Sequence, residues 1–206
     1  MSGPVVIVLA AGRGSRFRGP EHKLAQALGA SSVLGTTLAL VLASRLPMVV
    51  VATPALAEIA RCSVATRDIV ILNDAGPAPA QPFGMGYSIA CGVGARPDAS
   101  GWLILPADMP LIKPETLLAV ARELRHHTVV YAQHRGQRGH PVGFSAELYS
   151  ELAALDGDDG ARRLLARYPA HGIEVDDPGV LVDIDTEADL EALRSVPPAA
   201  AAAQAR

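Results

Sequence analysis

The stretch Val6–Leu24, VIVLAAGRGSRFRGPEHKL, decides how the rest of the chain is read. It opens on an apolar, largely β-branched run, and with Val5 added this predicts a short buried strand over Val5–Ala10. The run stops abruptly at a loop with three glycines and three arginines, and the loop ends on a lone lysine, Lys23. Glycines let a backbone approach a ligand closely, and cations attract phosphate. A buried strand feeding such a loop is the pattern of parallel α/β sheets, which bind ligands beyond the carboxyl ends of their strands.

The following segments repeat that logic. Val33–Arg45 reads as a helix capped by Ser31 or Ser32, and Met48–Thr53 as a second buried strand. Pro54 opens a helix to about Cys62, and Asp68–Leu72 is a third strand. The Pro- and Gly-rich stretch 73–84 is a loop, Met85–Gly94 a helix, and Gly101–Leu105 a fourth strand. Pro114–His126 is helical, Thr128–Gln133 a strand, HRGQRGHP (134–141) a turn-rich loop, and Val142–Phe144 a short strand. Helices over Ala146–Ala154 and Ala161–Tyr168, strands over Ile173–Val175 and Val180–Ile184, and a closing helix over Thr186–Arg194 complete the pattern. Thr186 and Asp189 resemble a capping box. Continuous apolar strands alternating with helices predict an α/β fold, a mainly parallel sheet flanked by helices on both faces. The expected organisation is a single domain over 1–195, followed by a low-complexity, disordered tail over 196–206.

Composition narrows the function. The chain has 206 residues, half of them hydrophobic, and a formal charge of −3, so no basic face for nucleic acid is expected. No apolar stretch is long enough to span a bilayer, and no leader is evident, which points to a cytoplasmic protein. Cys62 and Cys91 match no zinc or redox spacing and read as buried free thiols. Trp102 reads as core. His126 and His127 close a helix, favour its dipole and show no zinc-ligand spacing.

Three phosphate-binding patterns compete for the loop. Gly14 and Gly19 have the Walker A separation, but Pro20-Glu21 stands where Lys and Ser or Thr are needed. The dinucleotide fingerprint fails at Phe17, and no acid occurs between Glu21 and Glu58. The third pattern, A-G-x-x-x-R from Ala11 to Arg16 with Lys23 following, resembles the signature loop of nucleotidyltransferases. Displacing pyrophosphate from an α-phosphate builds charge on both groups, so cations and a metal held by carboxylates are required. GWLILPADMPLI puts Asp108 just past a strand, between Pro106 and Pro110. LVDIDTEADL puts Asp183 and Asp185 on one face of a strand end; Asp185, nearer the turn, is preferred as second metal ligand.

LAAGRGSRF with Lys23, GMGYSIACGV, LPADMP, RGHPVGFS, GDDGARRLL and DIDTEADL occur in order from residue 9 to 190. With this set the chain resembles the molybdenum cofactor cytidylyltransferase family, single-domain nucleotidyltransferases with a Rossmann-like fold that are related to the guanylyltransferases of the same cofactor. The resemblance implies magnesium-dependent transfer of CMP from CTP to the terminal phosphate of molybdopterin, for a client oxidoreductase of the xanthine dehydrogenase type. It implies that Leu9, Ala10 and Ala11 line the base pocket, and that Gly12, Gly14 and Ser15 offer amides to the triphosphate. Arg16 would pair with the outer phosphates and Lys23 would neutralise the α-phosphate. Asn73 and Ser88 would face base and ribose, and Asp108 with Asp185 would hold magnesium. Arg138, His140 and Arg162 would sit on the acceptor side. Two other readings stay open: guanylyl or other nucleotidyl transfer to this or another phosphorylated acceptor, and a non-catalytic carrier of nucleotide or cofactor. Retention of Lys23 and Asp108 favours catalysis.

Overall fold

The computed structural model describes residues 3–12, 14, 16–19, 21–73, 84–158 and 160–195. Ser15 and the 196–206 tail therefore lie outside the described residues.

The strands are β1 (Val5–Ala10), β2 (Ala27–Leu28), β3 (Ser31–Ser32), β4 (Met48–Ala52), β5 (Ile69–Ile71), β6 (Gly101–Pro106), β7 (Val129–His134), β8 (Gln137–Ser145) and β9 (Ala170–Glu174). The helices are α1 (Val33–Ser44), α2 (Pro54–Ala60), α3 (Met85–Gly94), α4 (Pro114–Glu123), α5 (Tyr149–Ala153), α6 (Arg162–Arg167) and α7 (Glu187–Ser195). Seven strands form one sheet in the order β5-β4-β1-β6-β8-β7-β9, and β2 pairs with β3 in a small separate ribbon. Within the large sheet β8 alone runs against its neighbours; the other pairings are parallel. The fold is the single-domain α/β arrangement that the sequence predicts.

Strand alternation explains why the central strands are apolar throughout. Val6, Val8 and Ala10 join one core cluster with Leu34 and Leu38 of α1, Leu56 of α2 and Leu117 of α4. Val5 and Ile7 join the other, with Ile89 of α3, Trp102, Phe144, Leu152 and Leu164. Each central strand thus feeds two cores at once, as a sheet covered on both faces requires. Trp102 is fully buried, as expected.

Helix starts follow local chemistry. Ser32 caps α1, its hydroxyl accepting from the Gly35 amide at 3.0 Å. The Thr186–Asp189 pair forms a reciprocal cap: the Asp189 carboxylate accepts from the Thr186 amide at 2.7 Å, and the Asp189 amide donates to the Thr186 hydroxyl at 3.2 Å. A third start is capped from far along the chain. The Asp177 carboxylate, 1% exposed, accepts from the Lys113 amide (2.8 Å) and the Thr116 hydroxyl (2.6 Å) at the head of α4, and from the Gly179 amide (3.0 Å). Asp177→Ala leaves these donors buried and unpaired, so it should cost about 3 kcal/mol. Urea denaturation checks this; an unchanged midpoint would remove Asp177 from the structural frame.

Three expectations need correction. HRGQRGHP is not a loop. Arg135 and Gly136 (φ 51° and 73°) make a two-residue hairpin turn whose twist suits the flanking strands, and β8 begins at once, at Gln137. Val180–Ile184 is not a strand: Pro178–Leu181 winds into a 3-10 turn stabilised by Asp177, so the segment does not join the sheet. The cysteines are free, but Cys62 is exposed because α2 ends at Ala60 and leaves it in a turn, and Cys91 on α3 is only half-buried.

Candidate active site

Strands β1 and β6 lie side by side, with Leu9 opposite Pro106, and the chain continues that contact past the strands: the Ala107 amide donates to the Leu9 carbonyl at 3.1 Å. The residue after it is Asp108. Its neighbours fix its backbone from two directions. The Thr37 hydroxyl of α1 donates to the Ala107 carbonyl at 2.9 Å, and the Ile184 amide donates to the Asp108 carbonyl at 2.9 Å. Ile184 is fully buried, so the acids on either side of it, Asp183 and Asp185, are turned out of the core together. The shared face read from the sequence therefore survives, although the segment is not a strand.

Lys23 reaches the same point from the glycine loop. Its ammonium donates to Asp108 Oδ2 at 2.7 Å and to Asp185 Oδ1 at 2.9 Å. Burial works to lower the Lys23 pKa, but hydrogen bonds and charges from Asp108 and Asp185 outweigh it, and the ammonium stands above its ordinary value. Arg16, on the exposed side, also pairs with Asp185. One oxygen from each of Asp108, Asp183 and Asp185 lies within 4.8 Å of the others.

The loop that delivers Lys23 is held by a residue that sequence reasoning passed over. His22 Nε2 is 2.8 Å from the Gly12 carbonyl, and His22 Nδ1 accepts from the Leu24 amide at 3.1 Å. These two contacts assign the proton to Nε2 and pin both ends of the loop around Lys23. No pattern in the sequence signals this role, because Gly12 and His22 become partners only when the loop folds back.

The other predicted residues divide. Leu9 and Ala11 are half-buried at the carboxyl end of β1, against the α3 side of the sheet. Ala10, between them, turns its side chain into the opposite core, where it is fully buried. Asn73 is exposed just past β5. Ser88 is buried and turns its hydroxyl to the Gly84 carbonyl of its own helix at 3.4 Å. Glycines at 84 and 86 let this helix start against the 156–158 segment; a Cβ at Gly84 would overlap the Gly157 carbonyl, and one at Gly86 the Asp156 carbonyl. The Gly86 amide donates to that Gly157 carbonyl at 2.9 Å, so the GMGYS and GDDG motifs are one docked unit.

His140 joins the acids. Burial pushes its imidazole below the ordinary value, against the opposing effects of a hydrogen bond to the Ile104 backbone and the charges of Asp108 and Asp183. Its Nδ1 is buried without a hydrogen-bond partner. Arg138 instead lies over the Tyr131 ring, 4.1 Å from its centre, and Arg162 is exposed at the start of α6. Among the described contacts none joins either arginine to the Lys23–Asp108–Asp185 cluster.

The residues fit a hard divalent cation. Three carboxylates converge, a cation already bridges two of them, and Asp108 Oδ1 is buried with no hydrogen-bond partner. Magnesium and manganese take such oxygen donors together with phosphate oxygens. A glycine loop at a strand end, a buried lysine and convergent carboxylates on a doubly covered sheet define a nucleotidyltransferase. The chain belongs to the family described as the MobA-like NTP transferase domain, which it matches over residues 6–173. This bears out the family resemblance drawn from the motifs. The purine catabolism protein PucB of Bacillus subtilis is 28% identical over 207 residues, covering 91% of this chain and 94% of PucB. Rv0371c of Mycobacterium tuberculosis superposes with a TM-score of 0.76 at 26% identity, covering 95% of this chain and 98% of that one. A structure of Rv0371c in complex with manganese superposes at 0.71 and 25% identity, covering 95% and 99%. Among the described residues no helix is long and apolar enough to cross a membrane.

Proposed function

We propose that this protein transfers CMP from CTP to the terminal phosphate of molybdopterin, in the cytoplasm, for a molybdoenzyme of the xanthine dehydrogenase type. An oxygen of the acceptor phosphate attacks the α-phosphorus, and the bond from that phosphorus to the bridging oxygen of pyrophosphate breaks. The observation that carries nucleotidyl transfer is the Lys23 ammonium held between Asp108 and Asp185 at the mouth of the glycine loop. Lys23 would stabilise charge on the α-phosphate, and Arg16 charge on the departing phosphates. Gly12, Gly14 and Ser15 would supply amides to the triphosphate, and Leu9, Ala11, Asn73 and Ser88 would bound base and ribose. Asp108 and Asp185 would hold magnesium, which when bound neutralises phosphate charge. His140, Arg138 and Arg162 would lie on the acceptor side, as the motif resemblance implies.

Support for the acceptor is the motif set together with the likeness to PucB. Xanthine is a purine, so a relative named for purine catabolism fits a client of this kind. Support for CTP is Ala11. Its methyl group stands where glycine would leave room for a purine, a difference worth about 1–3 kcal/mol, or roughly 10–200-fold in selectivity. Pyrophosphate release measured with each of the four nucleotides, with and without molybdopterin, tests the proposal. CTP with molybdopterin should be fastest, and Ala11→Gly should narrow its lead over GTP. A wild-type preference for GTP would place the protein with the guanylyltransferases, and no release with any nucleotide would favour a carrier role.

A further inference from the structure

At the amino edge of the sheet, away from the nucleotide loop, lies a second group of metal-competent side chains. Glu123 is the last residue of α4, and His127 follows in the turn, its amide donating to the Glu123 carbonyl at 3.1 Å. His171 comes from β9, the edge strand, where it pairs with Val130 near the start of β7. The His127 and His171 rings stack with centres 3.9 Å apart and planes 9° from parallel, and His127 Nε2 is 3.9 Å from Glu123 Oε2. One ligand atom from each of the three lies within 4.8 Å of the others. The sequence shows no zinc spacing around His127 because the second imidazole arrives 44 residues later, through the β7–β9 pairing.

We infer that Glu123, His127 and His171 form a second metal site, selective for zinc and related borderline ions over magnesium. Two imidazoles and one carboxylate are a nitrogen-rich set that suits zinc, with a fourth position left for water. Magnesium demands oxygen ligands and is served by the aspartate cluster instead. The carboxyl end of α4 adds its negative dipole, which favours a cation there. His171 is exposed and Glu123 and His127 are half-buried, so the stacked rings can tilt their nitrogens together at small cost. Bound zinc would clip the end of α4 and the turn after it to the sheet's edge strand, with no part in nucleotidyl transfer.

The test is zinc titration of the full chain by calorimetry in a large excess of magnesium, which occupies the oxygen-donor site. One zinc per chain should bind at the imidazoles, and ring resonances of His127 and His171 should shift together. Losing the orienting partner of a metal ligand costs about 10–100-fold in affinity, and losing the ligand should cost at least as much. His171→Gln, at an exposed position, should therefore weaken zinc binding at least tenfold while leaving pyrophosphate release in magnesium unchanged. Absence of zinc binding to the wild type, or wild-type zinc affinity retained in His171→Gln or His127→Gln, would overturn the site.

Discussion

Asp108→Asn should cut turnover by about 1,000-fold or more and weaken divalent metal binding in the same step. The substitution keeps size and hydrogen-bonding shape but removes the charge that faces both Lys23 and the other carboxylates. Losing one preorganised electrostatic group in a transfer site costs about 100–1,000-fold in kcat. Here two are affected, because Asp108 also positions the lysine, so the fall should sit at the upper end of that range or beyond. Manganese binding, followed by the electron paramagnetic resonance of the free ion, separates the two roles. If turnover collapses while manganese affinity is unchanged, Asp108 is an anchor for Lys23 and the metal is held by Asp183 and Asp185 alone. If both are unchanged, the site is elsewhere. Melting temperature serves as the control for folding, since Asp108 Oδ1 makes no hydrogen bond that the amide would lose.

The sequence made some of this readable and hid the rest for identifiable reasons. β1, β4 and β6 announce themselves because a strand buried on both faces must be apolar at every position, and Val5–Ala10, Met48–Ala52 and Gly101–Leu105 are. The site follows from them: Lys23 lies in the loop that β1 feeds, and Asp108 stands two residues beyond Pro106, the end of β6. β8 was not legible at its start. Gln137 and Arg138 are polar and exposed, and Pro141 argues against a strand, yet the Arg135-Gly136 turn forces pairing with β7 from its first residue. The 178–184 segment misled in the opposite sense, since its apolar alternation reflects Val180 and Ile184 filling the core beneath a loop. That loop still brings Asp183 and Asp185 to the acids, because burial of Ile184 alone fixes which way its neighbours point. His22 had no signature, because its partners are a carbonyl and an amide that only the folded loop presents.

Lys23→Met should produce opposite changes in chemistry and in metal binding. In the nucleotide-free protein the ammonium sits between two of the three carboxylates, where it supplies the positive charge that a divalent ion would otherwise supply. Removing it leaves Asp108, Asp183 and Asp185 facing one another, with Arg16 the one cation still paired to them among the described residues. Like charges at that spacing repel, so the metal-free variant should melt at a lower temperature than the wild type. Manganese or magnesium should restore more stability to the variant than it adds to the wild type, by simple linkage to tighter binding. Under the proposed function turnover should nonetheless fall by about two orders of magnitude or more, because the Lys23 ammonium would no longer meet the α-phosphate as charge develops. Nucleotide affinity should change less, since Arg16 and the loop amides remain. A variant that loses activity and metal affinity together would show that the lysine organises the metal site rather than competing for it. One that keeps near-normal turnover would return Lys23 to the role of a buried counter-ion. The predicted combination, tighter metal and slower chemistry, follows from the proposed function: a lysine shared between an acid cluster and a substrate phosphate would leave the carboxylates for the phosphate when metal and nucleotide arrive.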